Sequence, residues 1–469
     1  MNNSSTHLYA FTLGREWKLS LAELFAVFGA DAYRIHTETI AIFQIHGYSD
    51  EQLAKKFLTI GGSIRIIKIL GETDTKRFPT DVIHEIQSSK GKIQNSGGKV
   101  TFALGSYGID FPVSNIGLRI KKTLQERGFS ARLVNIENKN IVSAVFKREK
   151  LGKSQTEYNL IQTPAGEEFG VTIACQDIDA YANRDTGKSR DMIVGMMPPK
   201  LVQMMINLAR SVSEKSLKNE KFEARKNLGK EFTSIVNDGK DFSHNEEVRR
   251  FSEISLYDPF CGLGTTLIEA ANMGITEVYG SDISAEMVRA STDSLEEFIK
   301  TEKMWQERIR AVGGTPNKDF SDFRSSIVQL DARKVKDAAE KLGTIDFHRL
   351  NLAIVSEGFL GEIMSPRDIG LEKVQAERKK LASMYSDFFR GLADANFRGS
   401  IVMSFPFWNI HGTYSYFGEI YEVIEKNGFE VVSLLPWEMK LNTSKGSLLY
   451  RRENQTVGRE IVKIVKKSK

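Results

Sequence analysis

Residues 254–266 read Ile-Ser-Leu-Tyr-Asp-Pro-Phe-Cys-Gly-Leu-Gly-Thr-Thr, and no other stretch constrains the chain as much. A short apolar run closes on Asp258 and a turn with two glycines follows. Thr265 or Thr266 is placed to cap a helix whose Leu267, Ala270 and Ala271 fall at i, i+3, i+4 spacing. Gly274 sits where that helix stops. Strand, tight turn and helix in this order make the first βα unit of a doubly wound sheet, where ligands bind at the carboxyl ends of the strands. Gly262 and Gly264 carry no Cβ, so a ligand can press against the backbone there. The turn is neither the full G-x-G-x-x-G dinucleotide pattern nor a phosphate loop, because no Gly-Lys-Ser/Thr follows.

Downstream, strand-like and helix-like stretches alternate, which means a mostly parallel sheet. Glu277 to Ser281 ends at Asp282, Ile327 to Leu330 at Asp331, and Leu352 to Val355 at Ser356-Glu357. Helices are expected over 285–303 and 371–392, and a fifth strand over 401–405. Phe429 to Leu435, Leu448 to Tyr450 and Ile461 to Val465 supply the last strands, with an antiparallel edge.

Asp-Pro-Phe-Cys-Gly-x-Gly-Thr resembles motif I of class I S-adenosylmethionine (SAM) methyltransferases, most closely the branch that methylates amines. The resemblance implies SAM as cofactor, held by Asp258, Phe260, Gly262, Gly264, Asp282, Ile283, Asp331 and Ala332. Asp282 lies 24 residues after Asp258 and can accept hydrogen bonds from both ribose hydroxyls, or cap the following helix. Asp331 can take the adenine amino group. Asp258 can meet the cationic methionyl end or hold the turn through backbone donors. Cys261, with no basic partner, reads as packing.

Enzymes that methylate an exocyclic amine resemble one another at the fourth strand end, with Asp/Asn-Pro-Pro-Tyr/Phe. Here the stretch is Ser356-Glu357-Gly358-Phe359. Glu357 takes the place of the acid and is also placed to take the proton after transfer. Gly358 offers its carbonyl and Phe359 a ring to stack on the base. No proline stiffens this turn, and Glu is one methylene longer than Asp. Phe405 to Asn409, at the end of the fifth strand, is either further stacking surface or a hydrophobic cap.

The chain has 469 residues, enough for two to four domains at the rough prior of ~150 residues each. No apolar run approaches the ~20 residues of a membrane span, and the first seven residues lack the features of a signal peptide. Two cysteines, Cys175 and Cys261, give no disulfide framework, which points to a reducing, cytoplasmic setting. Neither Cys–Cys spacing nor a His cluster suggests zinc, so no metal is expected.

The N-terminal stretch reads β-α-β-β-α-β, which fits a ferredoxin-like α+β unit: strands at 8–13, 32–36, 40–45 and 64–70, a helix capped by Ser20 and another opened by Ser49. A second α+β unit follows, with helices over 81–88 and 113–128 and strands over 100–104, 131–135, 141–146 and 169–175. Residues 119–153 carry ten Lys or Arg against three Glu, more positive charge than the net +5 of the whole chain. Such a stripe is either an electrostatic footprint for a phosphate backbone or a solvated helix face. A polar linker runs from Tyr181 to Asp191. Pro199 then opens a helix with Leu201, Met204, Met205 and Leu208 on one face. Residues 211–250 hold nine Lys or Arg and eight Asp or Glu with few apolar anchors, which reads as an insertion.

Tyr9 to Glu16 with Leu19 to Leu24, the basic unit, Arg190 to Met192 with Gly195 to Leu201, Asn207 to Ala209, and Leu449 to Val462 together resemble the THUMP-containing tRNA guanosine N2-methyltransferases. That resemblance implies a ferredoxin-like unit over 1–72, a THUMP-like RNA-binding domain over 73–180, and a linker and joining helix over 181–210. It further implies a polar insertion over 211–253 and a Rossmann-like, mostly parallel seven-stranded α/β methyltransferase domain over 254–469. It also implies transfer of a methyl from SAM to a guanosine N2 amine of tRNA, with Glu357, Gly358 and Phe359 catalytic and the base flipped into the pocket. Arg119, Lys121, Lys122, Arg127 and Arg190 would grip the RNA. The partner implied is tRNA, with or without a small activating subunit. Two other readings stand beside this one: an RNA-binding protein with a vestigial SAM pocket, and a DNA amino-methyltransferase.

Overall fold

Side-chain caps and strand pairing set the local structure of the N-terminal half. Ser49 Oγ accepts the Gln52 N–H at 3.2 Å while Gln52 Oε1 accepts the Ser49 N–H at 2.8 Å, a reciprocal box that starts helix Asp50–Phe57. Ser20 has no such role. Helix Trp17–Phe28 begins three residues earlier, Ser20 is buried inside it, and its hydroxyl donates back to the Glu16 carbonyl at 3.2 Å. The computed structural model describes residues 7–88, 99–152, 155–186, 197–210, 254–314, 316, 318–343, 345–453 and 455–467. Arg190 and the polar insertion over 211–253 lie outside them. The described chain divides into two units, 7–183 and 184–467.

In the first unit, strands β1 (His7–Leu13), β2 (Tyr33–His36), β3 (Ile40–Ile45) and β4 (Ser63–Thr73) pair in the order β2-β3-β1-β4, all antiparallel, as a ferredoxin-like unit requires. Strands β5 (Lys99–Tyr107), β6 (Ser130–Leu133), β7 (Thr156–Thr163) and β8 (Gly166–Cys175) continue the same sheet, because β8 pairs antiparallel with β4. A buried ion pair crosses that seam: Arg65 Nε on β4 meets Glu157 Oε2 on β7 at 3.0 Å. Thr172 also donates to Glu157 Oε2, at 2.6 Å.

Three local expectations fail here. Residues 141–146 are not a strand; helix Ser143–Arg148 lies there, with Ser143 and Phe146 buried one turn apart. The side chains of Asn135 and Asn140 instead bond the backbone of Leu104 and Ser106 on β5, where a longer β6 would pair. Strand β7 had no counterpart in the sequence reading. The start of the supposed linker is helical, as part of Ile178–Thr186.

In the second unit, strands β9 (Ser255–Asp258), β10 (Glu277–Asp282), β11 (Arg324–Gln329), β12 (Leu352–Ser356), β13 (Ser400–Ile410), β14 (Thr413–Tyr416), β15 (Phe429–Val432), β16 (Leu448–Tyr450) and β17 (Val457–Lys466) form one sheet. Its main order is β11-β10-β9-β12-β13-β17-β15, with β14 on β13 and β16 on β17. Strands β9 to β13 run parallel in this path, so their carboxyl ends share one edge. The antiparallel strand is not at the edge, as expected, but inside: β17 lies between β13 and β15. All four residues of β9 and all five of β12 are buried, as strands covered on both faces must be.

Helix Leu371–Asp394 buries Tyr385, Phe388 and Phe389 in the core, each worth about 1.5–3 kcal/mol of burial. Helix Pro199–Arg210 is buried from Leu201 to Ala209, which is why its methionine stripe reads as core. Buried Glu269 on helix Thr265–Asn272 receives Arg184 Nε at 2.7 Å and Gln203 Nε2 at 3.0 Å, which fastens the chain entering this unit. Among the described residues no helix is long and apolar enough to cross a membrane.

Candidate active site

The turn after β9 forms as its glycines suggest. Gly262 and Gly264 have φ of +48° and +81°, a region that only glycine enters cheaply. Neither Thr265 nor Thr266 caps the next helix; Gly264 holds the cap position without a side-chain bond. Thr266 instead hydrogen-bonds Asp258, as does Ser356 from the end of β12. Asp258 Oδ1 also accepts the Phe260 N–H at 3.0 Å.

Asp258 is 1% exposed, so of its two candidate roles the geometry favours holding the turn. Burial pushes its carboxyl up to about 6. The proton is therefore bound more tightly in the folded chain, and stability falls as pH rises from the ordinary carboxylate value through 6. Relative to Asp258→Asn, which does not titrate, the wild type is expected to lose about 2 kcal/mol between pH 4 and 6. Urea unfolding of both proteins across this range checks it; a constant gap contradicts it.

Asp282, at the end of β10, is half-buried. Its Oδ2 accepts the Gly262 N–H at 3.0 Å and its Oδ1 the Ser284 N–H at 2.9 Å. Ser284, not Asp282, caps helix Ala285–Ala311. Each Asp282 oxygen keeps a second lone pair for a ligand hydroxyl. Ile283 beside it is 61% exposed, an apolar face next to that carboxylate. The Leu330 N–H donates to the Asp282 carbonyl at 3.0 Å, which brings Asp331 to the same edge. Asp331 is occupied: Arg333 reaches its Oδ2 at 2.5 Å and holds the carboxyl below its usual range. The buried Ala332 begins the short helix after it.

The Phe260 ring packs toward Tyr385 and Phe388, with centroids 6.1 and 5.7 Å away, so its open contribution is backbone. An added Cβ on Gly262 would meet nothing within 4 Å, so this side of the turn is open. An open glycine turn, a carboxylate with spare acceptors and an exposed apolar side chain together fit an adenosyl group. Cys261 is buried and its thiol is pushed up by that burial, in keeping with packing.

The turn after β12 has no proline, yet side chains hold it from three sides. Tyr385 Oη accepts the Phe359 N–H at 2.9 Å and donates to the Phe359 carbonyl at 3.0 Å. Ser404 Oγ donates to the Glu357 carbonyl at 2.6 Å. Glu377 Oε1 accepts the Glu362 N–H at 3.0 Å. Gly358 has φ +68°, and a Cβ there would come within 2.5 Å of Tyr385 Oη. Its N–H donates to Ser356 Oγ at 3.1 Å, so Ser356 links this turn to Asp258.

Arg459 is the residue that sequence reasoning missed. From β17 its Nε and Nη2 reach Glu357 Oε1 at 2.6 and 2.5 Å. Burial raises the Glu357 carboxyl, and the Arg459 cation opposes that rise. The signal in the sequence is a charged pair, Arg459-Glu460, directly before the apolar Ile461 and Val462 of the same strand. Two acceptors stay open among the described residues: Glu357 Oε2 and the Gly358 carbonyl. Phe359 beside them is 45% exposed. Phe405, Phe407 and Trp408 are fully buried, so the alternative of a hydrophobic cap holds for that stretch.

In the first unit, Arg119 and Lys122 are exposed on helix Val113–Glu126, where Lys121 is half-buried; the exposed Arg127 follows and donates to Gln87 at 2.9 Å. Much of the remaining stripe is neutralised, with Arg132 and Arg148 on Glu149 and Lys147 on Asp177 and Asp179.

Residues 251–405 match the model of the family UPF0020, the RMKL-like methyltransferase domain. The second unit is a class I methyltransferase domain, and its cofactor is SAM. No curated protein matches the chain. Among solved structures, TrmN from Thermus thermophilus is 12% identical, covering 98% of this chain and 100% of its own, with a TM-score of 0.42. TYW2 from M. jannaschii in complex with AdoMet is 10% identical, covering 50% of this chain and 80% of its own, with a TM-score of 0.26.

Proposed function

We propose that this chain is an RNA methyltransferase that transfers a methyl group from SAM to the exocyclic N2 amine of a guanosine in tRNA. The observation that carries the reading is the pair of open acceptors, Glu357 Oε2 and the Gly358 carbonyl, beside the half-exposed Phe359 ring. Acceptors at that place hold the two N–H bonds of an amine and aim its lone pair. A carboxylate also matches guanine, whose edge offers two neighbouring donors, N1–H and N2–H, where adenine offers a donor next to an acceptor. SAM supplies a methyl on a sulfonium leaving group, so the residues need mainly to position and polarise the amine. One proton leaves the nitrogen on transfer, and Glu357 is placed to receive it.

Asp282 takes the ribose hydroxyls and the Gly262–Gly264 turn lies against the rest of the cofactor. Arg119, Lys121 and Lys122, with Arg127, supply the phosphate-binding face on the other unit, a location that favours RNA over a free nucleoside. Incubation with methyl-labelled SAM and either unmodified tRNA or duplex DNA tests the reading. Label in tRNA supports it. Label in DNA alone, or tight salt-sensitive tRNA binding with no SAM affinity, overturns it.

A further inference from the structure

Strand β13 pairs with β12 only as far as Met403, then runs seven residues further to Ile410 and returns as β14. The hairpin thus stands beyond the carboxyl edge of the sheet, the edge that carries Asp282 and Glu357. Phe407 is buried at its base, over Gly458, where any Cβ would strike the ring. Tyr414 and Tyr416 pack on Phe407, with ring centroids 5.2 and 5.6 Å away, yet they remain 42% and 41% exposed. The Arg451 guanidinium lies 5.6 Å from the Tyr414 centroid. Its Nη1 is fixed by the carbonyls of Arg452, Glu453 and Gln455 at 3.2, 2.9 and 2.9 Å. Two exposed phenolic rings are therefore held in place beside a half-buried cation, whose Nε also donates to Tyr414 Oη at 3.3 Å.

An aromatic path joins this platform to the turn that carries Phe359. Tyr385, whose hydroxyl holds Phe359, packs against Phe405 with centroids 5.1 Å apart. Phe405 and Phe407 project from the same face of β13, two residues apart. The platform and Phe359 thus belong to one side of the sheet.

We infer that the β13–β14 hairpin is a stacking platform for the unpaired nucleotides that flank the target base, with Tyr414 and Tyr416 under the bases and Arg451 facing the phosphates. This rests on the RNA-methyltransferase reading above. A base that leaves its stack strands its neighbours, and exposed aromatic faces replace the lost stacking for any base. The fixed cation suits the polyanion, and it makes an apolar protein segment a poorer occupant.

The test uses the full chain, methyl-labelled SAM and an unmodified tRNA transcript. The double variant Tyr414→Ala, Tyr416→Ala is expected to raise KM for tRNA about 10- to 100-fold, the equivalent of ~1–3 kcal/mol, with kcat within a few-fold and SAM affinity unchanged. Tyr→Phe at both positions keeps the ring faces, gives up only the Arg451 Nε bond to Tyr414 Oη, and recovers most of the wild-type KM. Should the double variant fail to fold, the single Tyr414→Ala carries the test with the same readouts. An unchanged KM, Phe variants as impaired as Ala variants, or a parallel loss of SAM affinity overturns the platform while the wild-type activity stands. Absence of transfer to tRNA by the wild type overturns the reading beneath it as well.

Discussion

Replacing Asp282 by alanine is expected to weaken SAM binding about 100-fold or more, whereas Glu357→Gln leaves SAM binding intact and lowers kcat about 100- to 1000-fold. The first estimate follows from two hydrogen bonds to a charged acceptor, each worth roughly 1.5–3 kcal/mol. Asp282 also accepts the Gly262 N–H, so its loss loosens the turn against which the cofactor rests. The second estimate is the usual cost of removing one preorganised group that acts on developing charge. Glutamine keeps the shape of the side chain but turns one of its acceptors into a donor, which a substrate N–H cannot use. Calorimetry with SAM and single-turnover transfer to tRNA separate the two effects. Loss of SAM affinity in Glu357→Gln, or its retention in Asp282→Ala, contradicts the assignment of the two carboxylates.

Arg459→Met is expected to cost about 3 kcal/mol of stability and to move the acid limb of the pH–rate profile upward. The cation is 5% exposed and its removal leaves Glu357 a desolvated, unpaired carboxylate. Breaking a buried pair costs roughly 3–5 kcal/mol, and the low end applies because the Glu357 side chain keeps 19% of its surface. Burial already raises the Glu357 carboxyl and Arg459 counters it, so without Arg459 the acid form persists to higher pH. A protonated Glu357 cannot accept from the amine as a carboxylate does, so transfer falls as pH falls through that higher value. Adding Glu357→Gln to Arg459→Met removes the stranded charge and recovers much of the stability, but not the activity. A profile that does not move, or a double variant no more stable than the single one, would count against an ion pair that tunes the acceptor.

The nucleotide-side architecture was legible because apolar runs end in acids at 258, 282 and 331, and the structure brings these three ends to one edge. What the residues alone do not show is how much of each acid remains available. Asp258 is sealed in and braces two turns, the second of the two roles open to it, and Asp331 is shared with Arg333 two positions on, so of the three Asp282 keeps the most freedom for a ligand. Strand β7 was hard to recognise because it is buried on both faces yet lacks a continuous apolar run: Tyr158 and Leu160 face the apolar core, whereas Glu157 and Asn159 on the other face belong to a buried polar network. The helix at Ser143–Arg148 was read as a strand because Ile141, Val142 and Val145 are β-branched, and a run that short cannot separate the two periods. The stiffening of the Glu357 turn lies in Tyr385, Glu377 and Ser404, which are far away in sequence. The missing prolines therefore say less about that turn than they seemed to.

The most direct measurement is the chemical identity of the product: full-chain protein, methyl-labelled SAM and unmodified tRNA, followed by digestion to nucleosides and mass spectrometry. The label is expected in guanosine methylated at N2, and is lost in Glu357→Gln and in Asp282→Ala. Label in another nucleoside, or none in tRNA from a protein that binds SAM, would contradict it.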